Sequence, residues 1–171
     1  MDLNLIIPLG ILIGCLIALS WFAGSDAPYV PTKMDHIRKI LKLAGVKKSK
    51  KFYELGSGDG RVVIEAAKLG ANSFGIEQSW IRVLYSRWKA SRLNIKNASF
   101  VHGNIFDKPL WSGAIESADT VYIFLLSKGV QKLEPLLKKN LKKGSLVITQ
   151  TYHFKNWKPY RKDADFWIYK T

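Results

Sequence analysis

A run of uncharged residues at the amino terminus constrains this chain more than any other feature. Residues 3–23 contain no charged side chain, and Asn4 and Ser20 are the clearly polar ones. As a helix rising about 1.5 Å per residue, the run would be roughly 30 Å long, which matches the hydrocarbon core of a bilayer. The sequence therefore predicts a transmembrane anchor within residues 1–24, a linker over 25–32 and one globular domain over 33–171.

The distribution of positive charge predicts how this anchor is oriented. All 27 Lys and Arg residues lie at or after Lys33, and basic residues beside a membrane span remain on the cytoplasmic side. We therefore expect a single-pass membrane protein with its domain on the cytoplasmic side, or on the equivalent matrix side of a mitochondrion. A cleaved secretory signal is the competing interpretation, but it requires a basic start and a shorter apolar run.

Cysteine and histidine usage excludes two classes of site. The single cysteine, Cys15, lies in the apolar run, so neither a disulfide framework nor a cysteine zinc site is available. The three histidines, His36, His102 and His153, are far apart and lack the spacing of metal ligands. No metal is expected.

Strand and helix patterns alternate through the rest of the chain. Short apolar runs predict strands at residues 51–55, 73–77, 98–102, 120–125, 145–151 and 166–169. Helical patterns cover residues 34–44, 61–68, 80–93 and 128–143. Thr32 is the predicted cap of the first of these helices. The alternation predicts an α/β, Rossmann-like open sheet, mostly parallel, with helices on both faces.

The helix over residues 80–93 carries two predictions about its faces. Its core positions are expected to be Trp80, Ile81, Leu84, Tyr85 and Trp88. Its basic residues Arg82, Lys89 and Arg92, extended by Lys96, are expected to form one exposed face. A second basic cluster comprises Lys138, Lys139, Lys142 and Lys143. Such surfaces attract anionic lipid headgroups, so the basic surface is a predicted membrane contact beside the anchor.

A glycine-rich loop after the first of these strands is the centre of the predicted site. The loop reads Gly56-Ser57-Gly58-Asp59-Gly60 and follows Glu54. Ligands of open parallel sheets bind beyond the carboxyl ends of the strands. Arg61 stands where a dinucleotide motif needs a third small residue. Glu54 would repel a pyrophosphate but would suit a ligand carrying an ammonium and a sulfonium group.

S-adenosylmethionine is a ligand of that kind, and two further strand ends suit it. Glu77 ends the second predicted strand and can accept both hydroxyl protons of a ribose. Asn104 follows the third strand and can bond the adenine edge, while Ile105 can cover the ring. A generic tight turn is the alternative for the glycine loop alone. The three features in this order favour the cofactor.

At these motifs the chain resembles the class I S-adenosylmethionine-dependent methyltransferases over residues 28–171. Four more segments are similar to a small protein-lysine methyltransferase family with broad-specificity archaeal and membrane-anchored mitochondrial members. They are Pro28-Tyr29-Val30-Pro31-Thr32, Gly103-Asn104-Ile105-Phe106, Phe124-Leu125-Leu126 and Trp157-Lys158-Pro159. The resemblance implies that Tyr29 and Thr32 lie over the methionine end of the cofactor. The other expected cofactor residues are Glu54, Gly56, Ser57, Gly58, Gly60, Glu77, Asn104 and Ile105.

Methyl transfer to an amine places few demands on the protein beyond alignment and a neutral nucleophile. An apolar channel with aromatic walls would help to deprotonate a lysine and to hold the methylated cation. Tyr29, Phe124, Tyr152 and Trp157 are the candidates for these walls, the first three as catalytic residues. An Asn/Asp-Pro-Pro-Tyr segment, which enzymes acting on bases or amides often carry, is absent after the fourth predicted strand.

The predicted function is N-methylation of lysine side chains in membrane-associated proteins, including embedded ones. Three other classes remain open: methylation of small amines or lipid headgroups, methylation of RNA through the basic face, and a non-catalytic membrane-bound assembly factor. The net charge of +14 fits an anionic partner. Nucleic acid is not expected to be that partner, because no recognised RNA-binding module is present.

Overall fold

A computed structural model of the protein describes residues 3–22, 29–107, 111, 113 and 115–171. Half of the predicted linker, residues 25–28, lies outside these residues. The helices are α1 (Leu3–Phe22), α2 (Met34–Leu43), α3 (Arg61–Lys68), α4 (Trp80–Arg92) and α5 (Ser127–Asn140), with a 3-10 turn at Ile115–Ser117. The strands are β1 (Lys51–Leu55), β2 (Asn72–Glu77), β3 (Ala98–His102), β4 (Thr120–Ile123), β5 (Leu146–Gln150), β6 (Arg161–Asp163) and β7 (Phe166–Lys170).

The strands form one seven-stranded sheet in the order β3-β2-β1-β4-β5-β7-β6. The first five strands in this order pair in parallel, whereas β7 runs antiparallel to both β5 and β6. The predicted open, mostly parallel sheet is therefore confirmed. Strand β6 was not predicted from the sequence, because its three residues, Arg161–Asp163, are all charged and show no apolar pattern.

Helices cover both faces of the sheet, as predicted. On one face, α2 and α3 pack against Phe52, Tyr122 and Ile148 of the central strands. On the other face, α5 packs against the alternate residues Tyr53 and Val121 and against their neighbours on β5. Because successive strand residues point to opposite faces, one strand serves both layers.

The start of α2 differs from the prediction. The residue that precedes the helix is Lys33, which has extended backbone and makes no capping hydrogen bond through its side chain. The predicted cap, Thr32, is buried instead. The apolar residues Ile37, Ile40, Leu41 and Ala44 of this segment are buried, whereas Met34 is 44% exposed.

Helix α4 is turned the opposite way from the prediction. It buries Arg82, Val83, Ser86 and Ala90, and it exposes its large apolar residues. The predicted core assignment of Trp80, Leu84, Tyr85 and Trp88 is therefore wrong, and Ile81 is only half-buried. The assignment of Arg82 to an exposed basic face is wrong as well. The physical reason is close packing, because the Ser86 hydroxyl donates to the Gly58 carbonyl at 3.3 Å and leaves no room for a ring.

Helix α1 contains Pro8, and its side chains at residues 5–19 are all exposed. Within the described residues, no helix combines the length and the apolar character needed to cross a membrane. The predicted anchor is thus not confirmed and stays a prediction.

Candidate active site

A cavity of about 510 Å³ opens at the carboxyl ends of β1, β2 and β4. This volume lies in the range of small-molecule sites, and open parallel sheets bind ligands at this position. The predicted site residues that line the cavity are Tyr29, Thr32, Glu54, Gly56, Ser57, Gly58, Glu77, Ile105 and Phe124. Gly60, Asn104 and Tyr152 do not line it.

Two glycines of the loop serve different purposes. Gly58 has a φ of +54°, and a Cβ atom there would lie 2.9 Å from Cε2 of Tyr29. Gly58 therefore allows the Tyr29 ring to approach the loop closely. Gly60 has a φ of +73°, and a Cβ atom there would lie 2.6 Å from Cε1 of Phe100 and 2.8 Å from Cβ of Ser86. Gly60 is needed where α3, α4 and β3 meet, which is why it stands outside the cavity.

The carboxylate of Glu77 is held in a fixed orientation at the cavity wall. The Gly58 N–H donates to Oε2 at 2.9 Å, and the Ser79 N–H donates to Oε1 at 2.9 Å. The buried guanidinium of Arg82 lies 3.4 Å from Oε1. A carboxylate offers about four acceptor positions. Glu77 can therefore still accept hydroxyl protons from a ligand.

Glu54 is a buried carboxyl that faces the cavity without a full set of partners. Its Oε2 atom has no hydrogen-bond partner among the described residues. Burial raises the pKa of Glu54 well above its usual value, and the negative charges of Asp59 and Glu77 raise it further. A buried acceptor without a partner favours a ligand that brings a donor, and a cationic donor most of all.

Arg61 connects the lid segment, residues 29–32, to the glycine loop. Its Nε atom donates to both Asp59 oxygens at 2.9 and 3.0 Å, and its Nη1 atom donates to the Thr32 carbonyl at 3.3 Å. Burial by itself would raise the pKa of Asp59, but the bonds and charge of Arg61 and the charge of Lys89 outweigh it, so that pKa is lowered. Asp59 therefore stays ionised beside the cavity.

Tyr29 lies within this charged network. Its ring packs on the buried guanidinium of Arg82, 4.8 Å from the ring centroid to Cζ. Burial raises the pKa of Tyr29, and the charge of Asp59 adds to the effect. Three residues at the cavity were not predicted as site residues from the sequence: Asp59, Arg61 and Arg82. A signal existed for Arg61, which replaces the small residue that a dinucleotide motif requires.

The apolar wall of the cavity follows β4. The exposed fraction of the side chains increases along this wall: Phe124 and Leu125 are half-buried, and Leu126 is exposed. This wall therefore runs from the cavity toward solvent.

The other predicted aromatic residues lie elsewhere. Tyr152 is 39% exposed beyond the end of β5. Trp157 stacks on Phe154, with centroids 5.4 Å apart, and so belongs to the core. The Asn104 side chain is engaged locally, where its Oδ1 accepts the Phe106 N–H at 3.0 Å.

The sequence profile of a known family fits this geometry. The profile described as "ANTKMT methyltransferase domain" matches residues 54–161, which include the glycine loop and every strand from β2 to β5. The chain belongs to this family. Membership confirms that the protein is a methyltransferase, as the glycine loop and its acidic partners predict.

Curated relatives of this family member are lysine N-methyltransferases. A "Protein-lysine N-methyltransferase" from Saccharolobus islandicus (strain REY15A) is 33% identical over 139 residues, which is 77% of this chain and 81% of that protein. The mouse "Adenine nucleotide translocase lysine N-methyltransferase" is 29% identical over 135 residues, 78% of this chain and 57% of that protein. The chain thus spans little more than half the length of the mouse relative and most of the archaeal one.

Solved structures agree on the fold and the cofactor. An RNA methyltransferase from Salinibacter ruber, in complex with S-adenosyl-L-homocysteine, superposes with a TM-score of 0.72 at 32% identity, covering 82% of this chain and 91% of that one. A methyltransferase from Thiobacillus denitrificans, at 17% identity and a TM-score of 0.61, shares the fold. The cofactor of this ANTKMT-family enzyme is S-adenosylmethionine. The unpartnered acceptor of Glu54 and the fixed carboxylate of Glu77 fit this cofactor.

Proposed function

We propose that this enzyme methylates the side-chain amine of lysine in proteins. One observation carries the proposal: an apolar wall, Phe124-Leu125-Leu126, leads from the cavity to solvent with rising exposure. A lysine stem is a chain of methylene groups that such a wall can cover while the amine enters. The names of the curated relatives support the same substrate class.

The proposed cofactor contacts follow from the chemistry of the lining. Glu54 would accept the ammonium of the methionine end, and Glu77 would accept the ribose hydroxyl protons. Gly56 and Gly58 would allow close approach of the ligand, and Ile105 would cover the adenine. Tyr29 and Thr32 of the lid segment would close over the methionine end. The cofactor supplies a methyl group that its sulfonium has already activated.

The remaining predicted site residues are Asn104, Ser57, Gly60 and Tyr152. We propose for them the roles expected from the sequence. For Asn104, the Phe106 N–H occupies one acceptor position, and its amide donors are available to an adenine edge. Tyr152 would act at the rim, where a bound protein substrate could bury it. A change at Tyr152 should therefore affect protein substrates and leave cofactor affinity intact.

The enzyme's main task with the substrate is to deliver a neutral amine. A free lysine has a pKa of about 10.4, and an apolar environment lowers it. The aromatic face of Phe124, half-buried on the cavity wall, can stabilise the cationic product. Orientation and desolvation then supply most of the rate, without a dedicated base.

We further propose that the substrates are membrane-associated proteins and that the chain is held at the same membrane. The uncharged run over residues 3–23 and the exposed aliphatic side chains of α1 support an anchor. The restriction of Lys and Arg to residues from Lys33 onward supports a domain on the cytoplasmic or matrix side.

RNA is the second candidate substrate, favoured by one specific observation. The Salinibacter ruber neighbour, at 32% identity, is titled an RNA methyltransferase. The net charge of +14 would support binding to a polyanion. The apolar wall after β4 argues against it, since base-methylating sites more often place a polar segment there.

The deciding experiment incubates the full chain with methyl-tritiated S-adenosylmethionine and membranes of the source organism. Label is then separated into protein, lipid, small-amine and RNA fractions. Glu54→Gln should abolish labelling, and Glu65→Gln, a partly exposed glutamate paired with Lys68 at 2.7 Å, is the matched control. Acid-stable methyllysine in a protein band supports the proposal.

Other outcomes of this experiment replace parts of the proposal. Label in RNA, lipid or small amines keeps the enzyme and changes its substrate. Cofactor binding without label in any fraction indicates either that these membranes lack the substrate or that the protein is the non-catalytic assembly factor.

A further inference from the structure

The outer side of α4 carries an exposed apolar stripe. Trp80, Leu84 and Trp88 recur every four residues, with Tyr85 beside them, so they share one side of the helix. Their exposed fractions range from 37% for Tyr85 to 55% for Trp88. We refer to these four residues as the α4 outer face. Contiguous exposed apolar surface of this kind marks an interaction site.

Cations lie directly over the rings of this face. The Arg87 guanidinium is 5.8 Å from the Trp80 centroid. The Lys89 ammonium is 5.7 Å from Tyr85, and the Arg92 guanidinium is 5.5 Å from Trp88. No Asp or Glu occurs between residues 78 and 106. The α4 outer face is therefore apolar and bordered by cations, of which Lys89 also pairs with Asp59 at 3.7 Å.

This combination of side chains fits one kind of partner. Trp and Tyr concentrate at the headgroup level of bilayers, where a ring can be partly apolar and partly hydrated. Lys and Arg beside them interact with anionic headgroups, at about 1 kcal/mol per residue, or roughly a five-fold change in affinity. A protein groove would match the apolar stripe but would also need acidic side chains to match the cations around it.

The α4 outer face is also continuous with other features. Helix α1, with its exposed aliphatic residues, approaches α4 to within 8 Å between Cα atoms. The exposures given above hold with α1 in place, so α1 leaves the α4 outer face open. At the start of α4, Trp80 packs edge-on against His102, 5.0 Å between centroids, and the His102 ring is bonded to the carbonyl of Gln78, which lines the cavity, at 2.9 Å. The face therefore adjoins the cavity.

We propose that the α4 outer face docks into the headgroup region of a bilayer containing anionic lipids and holds the cavity beside that surface. The inference concerns a surface outside the cavity and stands whether the methyl acceptor is a lysine or another group. The exposed rings of α4 do not contribute to the core, and docking to a bilayer would give them a function.

The test uses the full chain with Cys15→Ser, so that an introduced cysteine can carry a unique spin label. Trp88→Cys places the label on the α4 outer face. Tyr160→Cys, at an aromatic residue that is 73% exposed and lies before β6, is the matched control. Both proteins are reconstituted with phosphatidylcholine–phosphatidylglycerol vesicles. Relaxation by oxygen and by a water-soluble nickel complex then reports the surroundings of each label.

We expect oxygen to relax the label at residue 88 more strongly, and the nickel complex to relax it more weakly, than the label at residue 160. This protection from nickel should decrease in pure phosphatidylcholine vesicles. Equal nickel access at both positions overturns the proposal, because residue 88 would then face water. Protection from both reagents also overturns it, since α1 or a second copy of the chain would then cover the face.

Discussion

Helices α3 and α4 lie side by side on one face of the sheet, but they turn different side chains toward it. Helix α3 buries Val62, Val63 and Ile64 in the core. Helix α4 buries a guanidinium, Arg82, and a hydroxyl, Ser86, alongside Val83 and Ala90. Helix α3 therefore contributes mainly to the core. The inner side of α4 instead supports the site, because Arg82 contacts Glu77 and Ser86 contacts the glycine loop.

Removing Arg82 should have the largest effect. Arg82→Met leaves the buried Glu77 carboxylate with backbone donors only, and we expect a loss of about 3–5 kcal/mol in unfolding free energy. Cofactor affinity should fall as well, because Glu77 loses a fixed orientation. Urea unfolding and calorimetric titration with S-adenosylmethionine measure the two effects.

The matched change in α3 is Ile64→Ala. It should lower the unfolding free energy by about 2–5 kcal/mol, because it leaves a cavity in the core. The folded fraction of this variant should bind the cofactor normally. If Arg82→Met loses stability but keeps its affinity, the distinction between the two helices fails.

Replacing Glu54 should affect binding more than folding. Glu54→Gln removes the partner of the cofactor's ammonium, and we expect about 2–5 kcal/mol weaker binding. In the wild type, the raised pKa of Glu54 means that binding releases a proton, so affinity should increase with pH as the carboxyl ionises. Calorimetric titration with S-adenosylmethionine over a pH series measures the affinity of the variant and the pH dependence of the wild type. A pH-independent affinity in the wild type would contradict this role.

Glu54 should also make the stability of the wild type depend on pH, and Glu54→Gln should remove this dependence. A carboxyl whose pKa is raised by folding retains a proton that the unfolded chain has released. The wild type should therefore lose unfolding free energy as pH rises above about 4.3, the ordinary pKa of a glutamate, and Glu54→Gln should not.

Gly60→Ala should disturb the junction between α3 and α4. The new methyl would meet Phe100 at 2.6 Å and Ser86 at 2.8 Å, and φ is +73°. We expect about 2–4 kcal/mol of destabilisation from strain and crowding together. Gly45→Ala isolates the strain, because its φ is +58° and nothing lies within 4 Å. Equal losses in the two variants, measured by urea unfolding, would show that crowding at the junction contributes nothing.

The smallest effect should come from the outer side of α4. Trp88→Ser should change unfolding free energy by no more than about 0.5 kcal/mol, since the ring is exposed. Val83→Ala, on the inner side of the same helix, should cost about 2 kcal/mol. Unfolding of the two variants in detergent measures both changes in free energy. A larger loss for Trp88→Ser would assign this ring to the core after all.

Short-range patterns were enough for much of the fold and site. The bounds of β1, α3 and β3 agree with those predicted, because apolar runs and a glycine loop interrupt the chain sharply at these positions. Nine predicted site residues line the cavity, since parallel strands bring their carboxyl ends to one edge. The short charged strand β6 escaped prediction, because it forms only by pairing with β7.

The sequence by itself determined the alternation of strands and helices, the position of the glycine loop and the carboxylates that end β1 and β2. Each of these depends on neighbouring residues. The tertiary structure alone decided which side of α4 is buried. That choice depends on Gly60 and Phe100, which are distant from α4 in sequence and leave room for a serine at position 86. It also depends on the buried carboxylate of Glu77, which pairs with Arg82. Hydrophobicity favours burying the rings of α4, but the available space and the buried carboxylate outweigh it.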